Sequence, residues 1–205
     1  MVAVPGTEDV ADRAAGELAT QGHAIIDAFI PAELTSELVR ESEQLMRTGA
    51  MRPAQIGKGA DRRRDGSVRG DLIHWFDPAA LTGPQTRLLE RVEEMRLALN
   101  RRMFLGLFDY EACHARYPEG SRYRRHRDRF TRAGRRILTL VTYLNLDWRA
   151  GDGGELRIHR SPADALDVEP LSGRAVIFLS DRMIHEVRPA IRPRLSVAGW
   201  FRGRP

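Results

Sequence analysis

The chain has 205 residues and a formal net charge of +5, carried almost wholly by arginine, since Lys58 is its only lysine. That length can bury a substantial core within one domain, and no apolar run approaches the ~20 residues that cross a bilayer. Cys113 is the sole cysteine, which excludes an intramolecular disulfide and a thiolate metal cage. Cysteine usage, together with an N-terminus that lacks the apolar centre of a signal peptide, points to a soluble protein of the cytoplasm.

Thr7, Glu8 and Asp9 open an acidic first turn, with Val10, Ala14 and Leu18 at helical spacing and Gly22 as a stop. Ala24 to Phe29 reads as a short strand. Pro31 then opens a second helix whose apolar face is Leu34, Leu38, Leu45 and Met46. From Met51 to Gly70 periodicity disappears among Gly57, Gly59, Gly66 and Gly70 and the basic run Arg62 to Arg64, as expected of a mobile loop. RGDLIHWFD, Arg69 to Asp77, alternates as a strand leaving that loop, and Pro84 begins a third helix with Leu88, Leu89, Val92, Met95 and Leu99 on one face.

The second half is rich in strands. Phe108 to Tyr117 ends at Pro118, and the Glu119-Gly120 turn returns the chain into Tyr123 to Asp128. Ile137 to Leu146 is the most apolar β-rich stretch and reads as a central strand. Glu155 to His159 is a further strand, Ser161 to Glu169 a polar connection, and Ala175 to Leu179 and Leu195 to Phe201 complete the set. Periodicity supports an α+β domain with mainly antiparallel strands.

Within RYRRHRDRF, His126 and Asp128 lie two apart, and in a strand residues i and i+2 share a face, so imidazole and carboxylate can converge on one ion. An isolated HxD is weak. His185 begins another strand-like run and supplies a third ligand, with Arg194 and Ser196 following it. Two histidines and one carboxylate with open positions form the facial triad of non-haem iron(II) oxygenases. His23, His74, His114 and His159 have no partner at ligand spacing. Arg122, Arg124, Arg125, Arg127, Arg129 and Arg132 crowd around the motif, so the mouth of the site should be electropositive.

The order HxD, distal histidine, RxS resembles that of the iron(II)/2-oxoglutarate-dependent dioxygenases. More closely it resembles their prolyl 4-hydroxylase branch, which includes the oxygen-sensing hydroxylases and small bacterial relatives. RYP at Arg116 to Pro118, TYLNLDW at Thr142 to Trp148, GGELRI at Gly153 to Ile158 and SDRMIHEVRP at Ser180 to Pro189 fall in family order. The resemblance covers the last hundred residues well and the first hundred thinly. It implies a double-stranded β-helix, the cupin-like jelly roll, flanked by N-terminal helices: one domain over residues 1–205, with 1–107 as helical support and substrate loop and 108–205 as catalytic core.

The same resemblance implies iron(II) held by His126, Asp128 and His185, with 2-oxoglutarate taking two of the remaining coordination positions and O2 one. Arg194 would clamp the distal carboxylate, since only a guanidinium offers two parallel charge-assisted hydrogen bonds. Ser196, Tyr143 and Tyr117 would stand around it, and Leu156, Val187 and Trp200 would wall the pocket. Ascorbate would serve as an auxiliary reductant. The expected partner is a protein or peptide with a target proline, contacted by Arg69, Asp71, Arg125 and Arg136 under a loop that acts as a lid, whereas membranes are not expected partners. Free amino acids or small metabolites are an alternative substrate class, and a cupin-like metal sensor without turnover is an alternative to an enzyme. The segment RLSVAGWFRGR after the clamp lacks the added arginine of nucleic-acid dealkylases, so nucleic acid is disfavoured.

Overall fold

The computed structural model describes residues 7–57, 63–129 and 134–204; Lys58, Gly59, Arg62 and Arg132 lie outside them. Three helices, α1 (Thr7–Gln21), α2 (Ala32–Arg47) and α3 (Gly83–Met103), pack on one face of a large antiparallel sheet. Helix α3 starts where its sequence dictates: the Thr82 hydroxyl accepts from the Gln85 amide at 3.3 Å, and Pro84 occupies the first turn. Val10, Leu18, Leu38, Val92, Met95 and Leu99 are buried with Leu138, Leu140, Val197 and Phe201 from the sheet.

The strands are β1 (His23–Ile26), β2 (Arg52–Pro53), β3 (Leu72–Trp75), β4 (Asp109–Tyr117), β5 (Tyr123–His126), β6 (Arg136–Tyr143), β7 (Leu156–His159), β8 (Ala165–Val168), β9 (Ala175–Leu179), β10 (Ile184–Val187) and β11 (Arg194–Arg202). They form a seven-stranded sheet in the order β1-β9-β6-β11-β4-β3-β2 and a four-stranded sheet in the order β5-β10-β7-β8. A second cluster, including Tyr117, Val141, Tyr143, Leu156, Ile158, Phe178 and Val187, fills the space between the sheets. Two facing antiparallel sheets with helices behind the larger one are the double-stranded β-helix that the resemblance implies.

Strand parity decides what each residue does. In β11, Val197 and Phe201 enter the helix-side core, while Arg194, Ser196, Ala198 and Trp200 face the interior of the roll. Gly199 lies on the helix side, where a Cβ would fall 1.9 Å from the Tyr110 hydroxyl, so only glycine admits that ring.

Four local readings are corrected. The strand expected from Ala24 to Phe29 stops at Ile26, because Ala28 turns the chain with φ 51°. Met46 is 42% exposed rather than on the buried face of α2. The 51–70 segment is not wholly irregular, since β2 pairs with β3 and Ile56 bridges Arg63. The connection from Ser161 to Glu169 contains β8. There Val168 is buried between the sheets with Leu166 packed beside it, and Arg157 on β7 holds Asp167 through two bonds of 2.7 and 2.6 Å. Asp167, one of the acidic residues that made this stretch look like a loop, belongs to the outer face of an edge strand.

Candidate active site

His126 ends β5 and His185 lies directly opposite it on β10. Asp128 lies beyond the end of β5, in a bend, so the two-residue strand spacing expected of it does not apply. What aims its carboxylate is a tether from the larger sheet: the Thr139 hydroxyl donates to Asp128 Oδ2 at 2.8 Å and meets Ser180 Oγ at 2.9 Å. The Arg129 amide donates to the Ser180 carbonyl at 3.1 Å and fixes the backbone after the bend. Asp128 then lies 3.6 Å from Nε2 of both His126 and His185, and one ligand atom from each residue falls within 4.8 Å of the others.

Both rings present the correct nitrogen. His126 Nδ1 stands 2.7 Å from the Arg124 carbonyl and His185 Nδ1 3.1 Å from the Met183 carbonyl. A carbonyl only accepts, so each Nδ1 carries a proton, which leaves Nε2 as the nitrogen able to offer a lone pair to a metal. Burial pushes His185 down to about 4, against the pull of Asp128. Burial also opposes the charge of Asp128, but attraction to the adjacent imidazoles, which act on it in their protonated form, outweighs burial and lowers the carboxyl below its usual range. The donor set of two imidazoles and one carboxylate suits iron(II).

Two predictions arise here. Thr139→Val keeps shape and strand preference but frees the carboxylate, so metal affinity should fall ~10–100-fold, as for other partners of ligating groups; equilibrium titration with Mn(II) or Co(II) reads it, and an unchanged affinity would remove the tether from the account. The second concerns acid. An unfolded histidine titrates near ~6.5, so the stability that depends on neutral His185 is fully present above that pH and is lost as pH falls toward about 4. The thermal midpoint of the metal-free protein should drop across this window, and His185→Gln should flatten the drop.

The surroundings of Arg194 are set by register. Arg194 faces Tyr117 on β4, and Ser196 faces Tyr143 on β6. The Arg194 side chain is buried, with its residue 2% exposed, and it makes no ion pair among the described residues. Its Nε donates to the Gly154 carbonyl at 2.8 Å, Nη1 reaches Ser196 Oγ at 3.5 Å, and its carbon lies 5.2 and 4.9 Å from the ring centroids of Tyr117 and Tyr143. Gly154 permits this approach: with φ 70° it is left-handed, and a Cβ there would stand 3.2 Å from Arg194 Cδ and 3.1 Å from the Trp148 ring. A buried guanidinium without a carboxylate is costly unless an anion joins it. Beside it, the Tyr143 hydroxyl is buried and has no hydrogen-bond partner among the described residues, and burial raises its phenol so that it remains a donor. These residues fit the carboxylate of 2-oxoglutarate.

A cavity with about 500 Å³ of atom-free space, partly open to solvent, joins the histidines to Arg194. Tyr117, Leu156, Val187, Ser196, Trp200, Arg69 and Asp71 all line it. Tyr143, fully buried, is not in that lining. Arg69 and the buried Asp71 are locked together by bonds of 2.7 and 2.9 Å. Arg125 is exposed and outside the lining. Arg136 is also outside it, paired with Glu111 at 2.8 Å and lying 3.6 Å over the Trp200 ring.

Sequence reasoning missed Thr139 and Tyr123 as site residues. The Tyr123 ring stacks on His126 with centroids 3.5 Å apart and 17° between planes, and Arg69 covers its other side at 4.7 Å. Strict alternation would put residues 123 and 126 on opposite faces. Pairing with β10 shifts between His185↔His126 and Val187↔Tyr123, so β5 has one residue too many, and that bulge turns both rings inward. The other histidines lie outside the site; His114 pairs with Glu41 at 3.1 Å, and His159 with Glu186 at 3.3 Å.

Comparison with known proteins agrees with this geometry. Residues 113–202 match the family model of the 2OG-Fe(II) oxygenase superfamily. The chain is 32% identical to human prolyl hydroxylase EGLN3 over 193 residues, covering 88% of this chain and 78% of that protein. It is 30% identical to the hypoxia-inducible factor prolyl hydroxylase of Caenorhabditis elegans, where it covers 88% of this chain but spans only 26% of the relative's length. Among solved structures, a Pseudomonas putida prolyl-4-hydroxylase superposes with a TM-score of 0.85 at 39% identity, covering 95% of this chain and all of that one. A Trichoplax adhaerens prolyl hydroxylase, solved with a hypoxia inducible factor peptide fragment, gives 0.87 at 27% identity and covers 96% and 90% of the two chains. Across the described residues, no helix is long and apolar enough to cross a membrane. With the triad, the buried Arg194 guanidinium and these relatives in agreement, the chain belongs to the 2OG-Fe(II) oxygenase superfamily, in its prolyl hydroxylase-like branch.

Proposed function

We propose that the protein hydroxylates a prolyl residue within a protein or peptide, using iron(II), 2-oxoglutarate and O2 and releasing succinate and carbon dioxide. The observation that carries the co-substrate assignment is the buried Arg194 guanidinium, without a carboxylate partner among the described residues, on the wall of the cavity that holds the His126, Asp128 and His185 triad. Prolyl chemistry rests on the names of the relatives.

In this reading His126, Asp128 and His185 hold the iron, which supplies oxygen activation when bound. Arg194 receives the distal carboxylate of 2-oxoglutarate through its free Nη hydrogens, Tyr143 donates its unpartnered hydroxyl, and Ser196 and Tyr117 complete the polar end. Leu156, Val187 and Trp200 keep water from the reacting region. The Arg69-Asp71 pair stands at the mouth with Arg125 and Arg136 further out, where they contact the substrate chain. Residues 1–107 act as support and substrate loop for the core at 108–205. Ascorbate as an auxiliary reductant and a cytoplasmic location belong to the same reading.

Incubating the enzyme with proline-containing proteins and mapping the product by mass spectrometry tests it. A gain of one oxygen on a proline, dependent on 2-oxoglutarate, is the expected result. A gain only on free amino acids would remove the peptide reading, and release of formaldehyde from methylated nucleic acid would make the enzyme a dealkylase.

A further inference from the structure

The rim of the cavity is unevenly charged. On one side Arg136 and Arg202 both bond Glu111, at 2.8 Å each, and Arg202 also bonds Asp109 at 2.7 Å. Those charges are compensated within the fold. On the other side runs β5 with its flanking residues, where Arg122, Arg124, Arg125 and Arg127 are all exposed. None of these four side chains has an ion pair or hydrogen bond to any described residue, and the only acid between Glu119 and Arg129 is Asp128, which faces the two histidines. Elsewhere on the same sheet arginines are matched, as Arg157 and Arg188 are with Asp167.

The bulge that turns Tyr123 and His126 inward leaves these arginines outside the cavity wall. Their backbone is held: the Arg122 carbonyl accepts from the Gly70 amide at 2.9 Å, and the Arg124 amide donates to the Val68 carbonyl at 2.8 Å. The row is therefore a stripe of positive charge on a held backbone, at most about 17 Å long at strand spacing, running past His126. A residue that enters the cavity from a polypeptide must carry its flanking residues across this rim.

We infer that the row Arg122, Arg124, Arg125 and Arg127 is a docking surface for an acidic polypeptide segment that flanks the reacting residue. The inference deepens the prolyl reading above and rests on it for the identity of that residue. Nucleic acid is the other polyanion, but the row exposes no aromatic ring on which bases stack, its one tyrosine, Tyr123, being sandwiched between His126 and Arg69.

The test uses the full chain loaded with Mn(II) and 2-oxoglutarate under nitrogen and short fluorescent peptides with a central proline flanked by glutamates, glutamines or lysines. The glutamate peptide should bind roughly tenfold or more tightly than the glutamine peptide at low salt, and the advantage should shrink as salt rises. In Arg124→Glu/Arg125→Glu the glutamate peptide should lose this advantage while the lysine peptide gains affinity, a gain that a misfolded variant cannot show. Equal affinity of the three peptides for the wild type, or tighter binding of a single-stranded oligonucleotide than of the glutamate peptide, would overturn the docking surface. Turnover in air is read separately. Charge preference without oxygen gain on the proline counts against the prolyl reading alone, and oxygen gain without charge preference counts against the docking surface alone.

Discussion

Arg194→Ala is expected to weaken 2-oxoglutarate binding by roughly 30-fold to several thousandfold, the range for removing one partner of a buried charge pair, while iron(II) binding is retained. The guanidinium is buried without a carboxylate partner among the described residues, and its one short bond is to the Gly154 carbonyl. Its charge is therefore a burden on the ligand-free fold and a benefit only once an anion arrives. Stability and binding should consequently move apart. Arg194→Met, which keeps the buried stem, should leave the ligand-free thermal midpoint unchanged or raised, yet abolish the increase that 2-oxoglutarate gives the metal-loaded wild type. Arg194→Lys should restore part of the increase, since an ammonium supplies charge without the parallel pair of donors. A midpoint that still rises with 2-oxoglutarate in Arg194→Ala would show that the carboxylate binds elsewhere.

The grouping of residues around Arg194 was legible in the sequence because they are ordered by strand parity. Arg194, Ser196 and Trp200 alternate along one strand and face one side, and family order supplied the pairing with Tyr117 and Tyr143 that the register then displays. The histidine pair was legible from motif order. The reason given for Asp128 was not the operative one, because the carboxylate is aimed by Thr139 across the roll rather than by strand alternation. No local pattern couples residue 128 to residue 139; that contact exists only once β6 has paired with β9 and brought Ser180 alongside. Tyr123 was hidden for a related reason, since a bulge is a property of two strands in register and its extra residue cannot be seen in one strand alone. Strand β8 escaped because edge strands keep polar outer faces and read as loops.

Asp128→Asn should reduce iron(II) affinity by more than the ~10–100-fold expected of an outer partner such as Thr139, because it removes the only negative charge of the triad. The change is nearly isosteric, and the amide oxygen can still accept from Thr139 Oγ1, so metal-free stability should shift by no more than about 1 kcal/mol. Its consequence for 2-oxoglutarate distinguishes the two halves of the site. If the keto acid is chelated by the metal at one end and clamped by Arg194 at the other, Asp128→Asn loses both ligands whereas Arg194→Ala loses only the second. Anaerobic titration with iron(II) and then 2-oxoglutarate, followed through the visible charge-transfer band of a chelated keto acid, reads both variants in one format. Asp128→Asn should show no band at iron concentrations that saturate the wild type. Arg194→Ala should develop it only at greatly raised 2-oxoglutarate, because the metal is still there to chelate. Wild-type affinity for iron in Asp128→Asn would mean that the two histidines hold the ion with other ligands, and the carboxylate's position, 3.6 Å from each imidazole, would then need a different explanation.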